Sequence, residues 1–381
     1  MSEAIHDDWN PRDASILEEQ HRAYDEMRER CPVAHSEFMG WSLFRHADVA
    51  AVLADPATYS NVSRFLAIPN GMDPPDHGRY REALEPNFEQ VQMAKLEPRA
   101  RKIAAQLLMP LAAGGELEFI EAFAMPFVFK TLCALLGWPE AQWESLGGWV
   151  HGNQQAAFSR EPGAGKALAS LFSKHVKANL ALRRASPNDD ATDATDALLG
   201  TEVDGVRFDD DQIVSVLRNW TAGHGTVAAG LGILALHLAD KPDLQDRLRH
   251  NPALIPAAIE EILRADGPLV ANPRTTTQEV EIQGRIIPEG ERLTLMWIAA
   301  NRDPRVFDDA TAIEIERSTD AGLVWGRGIH FCQGAPLARL EMRVALEELL
   351  ARTELLEFAD TPARRAAYPS NGLATLPLRV R

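Results

Sequence analysis

Apolar residues recur at intervals of three and four along much of this chain, the period of an amphipathic helix. The pattern predicts helices over Ala14 to Arg30, Met93 to Ala112, Leu168 to Ala185, Asp211 to Ala239, Pro252 to Ala265 and Ala335 to Ala351. Three of their ends coincide with helix breakers, Gly114-Gly115, Lys241-Pro242 and Gly267-Pro268. Strand character is concentrated between Pro273 and Trp297, where Val280, Ile282, Ile286 and Ile287 surround turn-forming Gly284 and Pro288-Glu289-Gly290. Ser186 to Asp204, rich in Asp, Thr and Ser, reads as a solvated surface connection. No repeat or composition break divides the sequence. The expected architecture is therefore one mainly α domain with small β-sheets over residues 1–381.

The longest strongly apolar run, Val227 to Leu236, is ten residues. That is about half of what a membrane span needs, so a buried core helix is expected and no membrane partner. The chain has 381 residues, 45% hydrophobic and 25% charged, which excludes disordered, collagen-like and disulfide-scaffold classes. Lys and Arg number 39 against 55 Asp and Glu, a formal charge of −16, which argues against nucleic acid as a partner. Cys31, Cys133 and Cys332 are far apart and form no CxxC pair, as in a reduced, cytoplasmic protein. The segment from His6 to Pro11 has no basic-then-apolar signal pattern.

One cysteine stands out. Trp325-Gly326-Arg327-Gly328-Ile329-His330-Phe331-Cys332-Gln333-Gly334 precedes a helical stretch whose Leu337, Leu340 and Val344 form an apolar stripe. A thiol near a helix N-terminus is shifted toward thiolate, and glycines let backbone approach a ligand closely. A buried, inert Cys332 is the bland alternative. The G-x-G-x-H-x-C-x-G pattern favours the former.

This segment resembles the haem-binding loop of the cytochrome P450 superfamily, the haem-thiolate monooxygenases. Trp325 stands where the family usually has Phe. The resemblance implies a P450 fold, with haem b (iron protoporphyrin IX) held between a long distal helix and the proximal cysteine-loop helix. By it, Cys332 is the metal ligand, His330 reaches a propionate, and Trp325, Gly326 and Gly334 line the cofactor. Glu261 and Arg264 match the family's E-x-x-R pair, with Arg317 as the third member and Glu260 as a competing partner. His77 and Arg81 match H-x-x-x-R, and Arg274 the remaining propionate arginine. Ala300 to Pro304 also resembles a family segment. The matches run in order from about residue 73 to 334.

Thr221-Ala222-Gly223-His224-Gly225-Thr226 resembles the distal helix, whose usual pattern is A/G-G-x-D/E-T. The family's mid-helix glycines imply a widened turn beside dioxygen, with Ala222 and Gly223 against the haem. Thr226 takes the place of the proton-relay hydroxyl, but Gly225 stands where an acid is usual. His224, or water passing Gly225, is the expected substitute, and a core role for His224 is equally open. The substrate pocket is expected from Ser60 to Ile68, Trp149 to Phe172, Leu269 to Asn272 and Leu373. Within it Phe65, Leu66, Ile68, Phe158, Leu269 and Val270 suit a small hydrophobic aromatic or terpenoid-like substrate. The chain carries no flavin or nicotinamide fingerprint. The implied electron donors are a ferredoxin and its reductase, drawing on NAD(P)H, with Arg327, Arg339 and Arg343 as a docking patch. The implied activity is hydroxylation or O-dealkylation with dioxygen. A peroxide-using or isomerising haem-thiolate enzyme, or a non-catalytic haem sensor, are the rival readings.

Overall fold

The structure, a computed structural model, describes residues 7–110, 114–159, 161–186, 193–366 and 370–381. The helices that frame the site are α1 (Gln20–Arg30), α2 (Asp76–Leu84), α3 (Gln90–Leu108), α4 (Met125–Leu136), α5 (Trp143–Ser159), α6 (Ala164–Ala185), α7 (Asp210–Asp240), α8 (Ile255–Ala265) and α9 (Ala335–Arg352). A five-stranded sheet flanks them: β1 (Val33–Ser36), β2 (Gly40–Leu43), β3 (Tyr59–Ser60), β4 (Ala271–Thr276) and β5 (Arg292–Met296), in the order β1-β2-β5-β4-β3. Only the β2–β5 pairing is parallel; the others are antiparallel. The expected strand region thus holds β4 and β5, with the hairpin Val280–Ile282 and Arg285–Ile287 between them.

Helix α7 runs through the centre. Its start is fixed by a capping box: the Asp209 carboxylate accepts the Gln212 N–H (2.8 Å), and the Gln212 side chain accepts the Asp209 N–H (2.9 Å). Asp210 and Asp211 in the first turn suit the positive end of the helix dipole. By length and apolarity α7 could cross a membrane, but 67% of its most apolar window is buried within the protein. It is packed by α4, α5, α6, α8 and α9.

Three expectations need correction. Ala14 to Arg30 is not one helix: Glu19 (φ −132°, ψ 55°) separates Ala14–Glu18 from α1. The helix expected from Met93 starts earlier, at Gln90, and carries Pro98 inside it; positions 111 and 112 lie outside the described residues. Ser186 to Asp204 is not merely a surface connection, although 187–192 lie outside the described residues. Asp193 caps a helix, Ala194–Gly200, through the N–H groups of Thr195 and Asp196 (both 3.1 Å). Buried Thr195 accepts a hydrogen bond from the Trp138 indole at 3.0 Å, so this polar stretch is tied to the core.

Just after α8, buried Asp266 gathers four partners. It accepts from His237 (3.0 Å), Asn371 (2.8 Å) and Arg365 (2.7 and 3.0 Å), and His21 Nε2 lies at 3.1 Å. Burial alone would raise its pKa, but these donors hold it well below the usual carboxylate range. A folded-state pKa below the unfolded one gives stability that is present above the unfolded value and is lost as pH falls toward the folded one. Asp266→Asn is therefore expected to cost about 3 kcal/mol at neutral pH. In urea melts the gap between wild type and variant should narrow in acid; a gap that widens would contradict the ion-pair account.

Candidate active site

Cys332 sits on the loop leading into α9. Gly326 and Gly328 both have φ of +70°, and a Cβ on Gly328 would lie 2.5 Å from the Leu53 carbonyl oxygen. These two glycines are therefore required by the backbone. Gly334 has an ordinary φ of −80°, and no protein atom lies within 4 Å of where its Cβ would be. The loop closes on itself through the Cys332 N–H donating to the Trp325 carbonyl at 2.8 Å.

The Cys332 thiol is exposed to solvent, yet it lies deep among protein atoms, as on the floor of an open cleft. Burial pushes its pKa up, while the N–H groups of Gly334 and Ala335 and the guanidinium groups of Arg81 and Arg339 pull it down. In the protein alone burial wins, contrary to the thiolate expected from the helix end. A coordinated cation would reverse that balance, because a metal-bound thiol is deprotonated.

Around this loop the fold gathers the donors singled out in the sequence. The rings of His77 (α2) and His330 lie edge to face, 4.4 Å between centroids. Both Nε2 atoms are buried and have no hydrogen-bond partner among the described residues. Burial pushes His330 down to about 3, helped by His77 and Arg274, and burial and Arg81 lower His77. Both imidazoles are therefore neutral at ordinary pH and act as N–H donors. The charge comes from Arg274 on β4, lowered to about 10 by burial and bonded, among the described residues, only to its neighbour Pro273 (2.7 Å), and from Arg81. Arg81 also donates to the Phe331 carbonyl (2.7 Å) and pairs with Glu85 (2.8 Å), joining α2 to the cysteine loop. Two cations, two unpartnered neutral donors and an accessible sulfur fit one flat ligand that carries two carboxylates and a thiophilic metal, as iron protoporphyrin IX does.

The Trp325 indole donates to Glu260 (2.8 Å), Glu260 pairs with Arg339 (2.7 Å), and the Arg339 guanidinium lies 4.9 Å over the Trp325 ring. Trp325 thus uses the extra N–H that a Phe would lack. Arg343 pairs with Glu97 and Glu347, so neither Arg339 nor Arg343 is a free docking charge; among the described residues Arg327 donates only to the Asp320 carbonyl. Glu260 is also not the E-x-x-R partner. Glu261 takes both Arg264 bonds (2.7 and 2.8 Å), the Arg317 Nε (3.0 Å) and the Glu314 N–H (3.0 Å).

Above the loop, α7 between Ile213 and Ala235 is buried except along one stripe: Arg218, Asn219, Ala222, Gly223, Thr226 and Ala229. At 3.6 residues per turn these lie on one face. Thr226 falls on it, and its hydroxyl has no partner among the described residues, whereas Thr221 on the buried side bonds back to the Leu217 carbonyl (2.7 Å). The expected widened turn is not present: α7 is a continuous α-helix from Asp210 to Asp240. Its two glycines act differently. Gly223 is exposed, and a Cβ there would meet nothing within 4 Å. Gly225 is buried, and a Cβ there would stand 2.5 Å from Val150 Cγ1 and 3.5 Å from Gln154 Nε2 of α5.

His224 is on the far face. Its Nδ1 bonds the Trp220 carbonyl (2.8 Å), and its Nε2 lies 3.6 Å from Glu341 of α9, with the Phe129 ring of α4 alongside. Burial pushes His224 down to about 4 and Glu341 well up, so this is a neutral pair inside the core. His224 cannot stand in for the missing acid.

The expected substrate residues disperse. Phe65 and Leu66 are exposed on the 61–75 loop, while Ile68 and Val270 have no accessible surface and belong to two separate apolar clusters. Phe158 lies under Arg12 (5.4 Å). Leu269 bridges to Ser370, and Leu373 packs beside Gly232 of α7. The bond from Trp325 to Glu260 and the packing of Val150 and Gln154 against Gly225 were not legible beforehand, because each acts across elements with no motif of its own.

A cysteine loop, a central helix with a free hydroxyl and a buried E-x-x-R triad define a haem-thiolate enzyme. The chain belongs to the cytochrome P450 family: the family model for cytochrome P450 matches residues 163–379. It is similar to erythromycin C-12 hydroxylase of Saccharopolyspora erythraea, 34% identical over 86% of this chain and 85% of that protein. It is also similar to cyclomarin C epoxidase of Salinispora arenicola, 32% identical over 90% and 91%. Among solved structures, a mutant of P450 EryK in complex with erythromycin B superposes with a TM-score of 0.87, at 32% identity over 95% of this chain and 96% of that one. The protein is a P450 monooxygenase with the P450 fold, and the family uses haem and dioxygen.

Proposed function

We propose that residues 1–381 act as one domain that hydroxylates or O-dealkylates a small, largely apolar organic molecule, aromatic or terpenoid-like, at a haem held by Cys332. Electrons reach it from NAD(P)H through a ferredoxin and its reductase, which dock over Arg327 and the exposed Ile329 and Phe331 beside the cysteine loop. The observation that carries this reading is the exposed thiol on a deep floor, ringed by His77, His330, Arg81 and Arg274. Bound through sulfur, haem supplies dioxygen activation, with thiolate ligation favouring O–O cleavage. The two arginines and two neutral imidazoles would hold its carboxylates. Ala222 and Gly223 leave room for substrate on the open stripe of α7.

Thr226 Oγ1 holds and passes the proton that the reaction consumes. With no acid at 225, His224 facing the core and Val150 closing the space beside Gly225, water on the open stripe of α7 delivers that proton. Thr226→Ala is expected to raise peroxide released per electron consumed several-fold and to lower product by about tenfold. Unchanged coupling would remove Thr226 from the relay. The class of ligand is tested directly: reduced protein under carbon monoxide should show a thiolate-type absorption, and a histidine-type band would overturn the reading.

A further inference from the structure

The open stripe of α7 is small and neutral at Ala222, Gly223, Thr226 and Ala229, but it begins with a cation, Arg218. Arg218, Ala222 and Thr226 are spaced by four, so they stack on one face, with the arginine about 12 Å along the axis from the threonine. Above this end lies the 61–75 loop, pinned to α7 through backbone groups. The Ile68 N–H donates to Ser215 Oγ (2.9 Å), Ser215 Oγ donates to the Leu66 carbonyl (3.0 Å), and Asn219 Nδ2 donates to the Ile68 carbonyl (2.8 Å). Three bonds therefore hold the loop without Arg218.

Among the described residues Arg218 itself donates only to the Leu66 carbonyl, and its guanidinium lies 5.0 Å from the centroid of the exposed Phe65 ring. A guanidinium has five N–H donors. No carboxylate among the described residues pairs with it, in a chain that carries 55 Asp and Glu. Its pKa is lowered, with desolvation as the sole cause, so no nearby anion compensates for its burial. Half-buried Arg183 and Arg302, by contrast, are neutralised, the first by Asp193 and Asp196 and the second by Asp25. A half-desolvated guanidinium with spare donors, on the same face as the reactive hydroxyl and beside exposed Val62, Phe65 and Leu66, is built to receive an anion that arrives with an apolar body.

We propose that Arg218 reads a carboxylate on the substrate. The molecule oxidised is then an amphiphilic acid, its carboxylate held at the N-terminal end of the cleft and its apolar body extending toward Thr226. This rests on the monooxygenase reading and narrows its substrate class.

The test compares dodecanoate with 1-dodecanol, two probes of equal chain length, by calorimetric titration of the haem-loaded protein. Dodecanoate is expected to bind at least about tenfold more tightly, since hydrogen bonds to charged groups contribute about 1.5–3 kcal/mol. Added salt should erode that advantage. Arg218→Met should abolish the preference and leave 1-dodecanol unchanged, and Arg218→Lys should keep part of it. Equal affinity of wild type for both probes, binding of neither, or equal weakening of both in Arg218→Met would each overturn the proposal; the last is what a mere loop tether predicts. Should Arg218→Met not fold, the salt response of wild type and the Arg218→Lys titration decide. The carbon monoxide spectrum of the same preparation is read separately. A thiolate band without acid preference sinks only the role of Arg218, and acid preference without that band sinks the enzymatic reading.

Discussion

A Cys332→Ala protein is expected to stay folded, to lose the thiolate-type carbon monoxide absorption entirely, and to lose turnover by about 10³-fold or more, equivalent to ~4 kcal/mol of barrier. The separation of fold from chemistry follows from where the residue sits. Its side chain is exposed, and the loop is closed by its backbone N–H on the Trp325 carbonyl, which alanine preserves. Thermal unfolding of the haem-free chain should therefore move by no more than about 0.5 kcal/mol. The chemistry has no such reserve: Cys31 is partly buried near Val33, and Cys133 lies inside α4 with its thiol pushed up to about 12 by burial. Neither can replace the missing sulfur. A variant that keeps the native absorption would refute ligation by Cys332.

Glu261→Ala is expected to have the opposite signature, failing as a fold before its chemistry can be asked about. The carboxylate has 1% of its side chain exposed and accepts four bonds from Arg264, Arg317 and the Glu314 backbone. Arg264, itself 3% exposed, also donates to the carbonyls of Asn301, Ala310 and Ala312, which holds the segment leading to the cysteine loop. Burial would raise the Glu261 pKa, but the two arginines and the Glu314 N–H bring it below its ordinary value, so it is ionised. Removing it strands buried positive charge, at a cost of roughly 3–5 kcal/mol. That is a large share of the 5–15 kcal/mol typical of a folded protein. Little haem-loaded protein should accumulate. Glu260→Ala, one residue away, removes a pair with the half-exposed Arg339 and the acceptor of the Trp325 indole, and should cost about 1–2 kcal/mol. Equal losses in the two variants, measured by melting, would contradict this.

The cysteine loop and the donors around it were legible in the sequence, because short-range backbone demands and fixed spacings leave a mark there. Gly326 and Gly328 had to be glycine, and His77 and Arg81 share a helix face. Helix α7 was legible to within a residue or two, from its long apolar period and its acidic start. Helices α4 and α5 were not predicted. The first is short and apolar on nearly every side, so no polar face marks its extent, and the second alternates small, polar and apolar residues without a clear stripe. Pairings across elements outside the matched motifs left no trace. Nothing in the order of residues says that Glu260 meets Trp325, that His224 turns from the cleft toward Glu341, or that Arg339 and Arg343 are already neutralised.

The 2.5 Å approach of Val150 Cγ1 to the place of a side chain on Gly225 sets what that position accepts. Any larger residue at 225 has to displace the Val150 side chain of α5, by a rotamer change or by a shift of the helix. A carboxylate at 225 is therefore accommodated more easily alongside a smaller residue at 150.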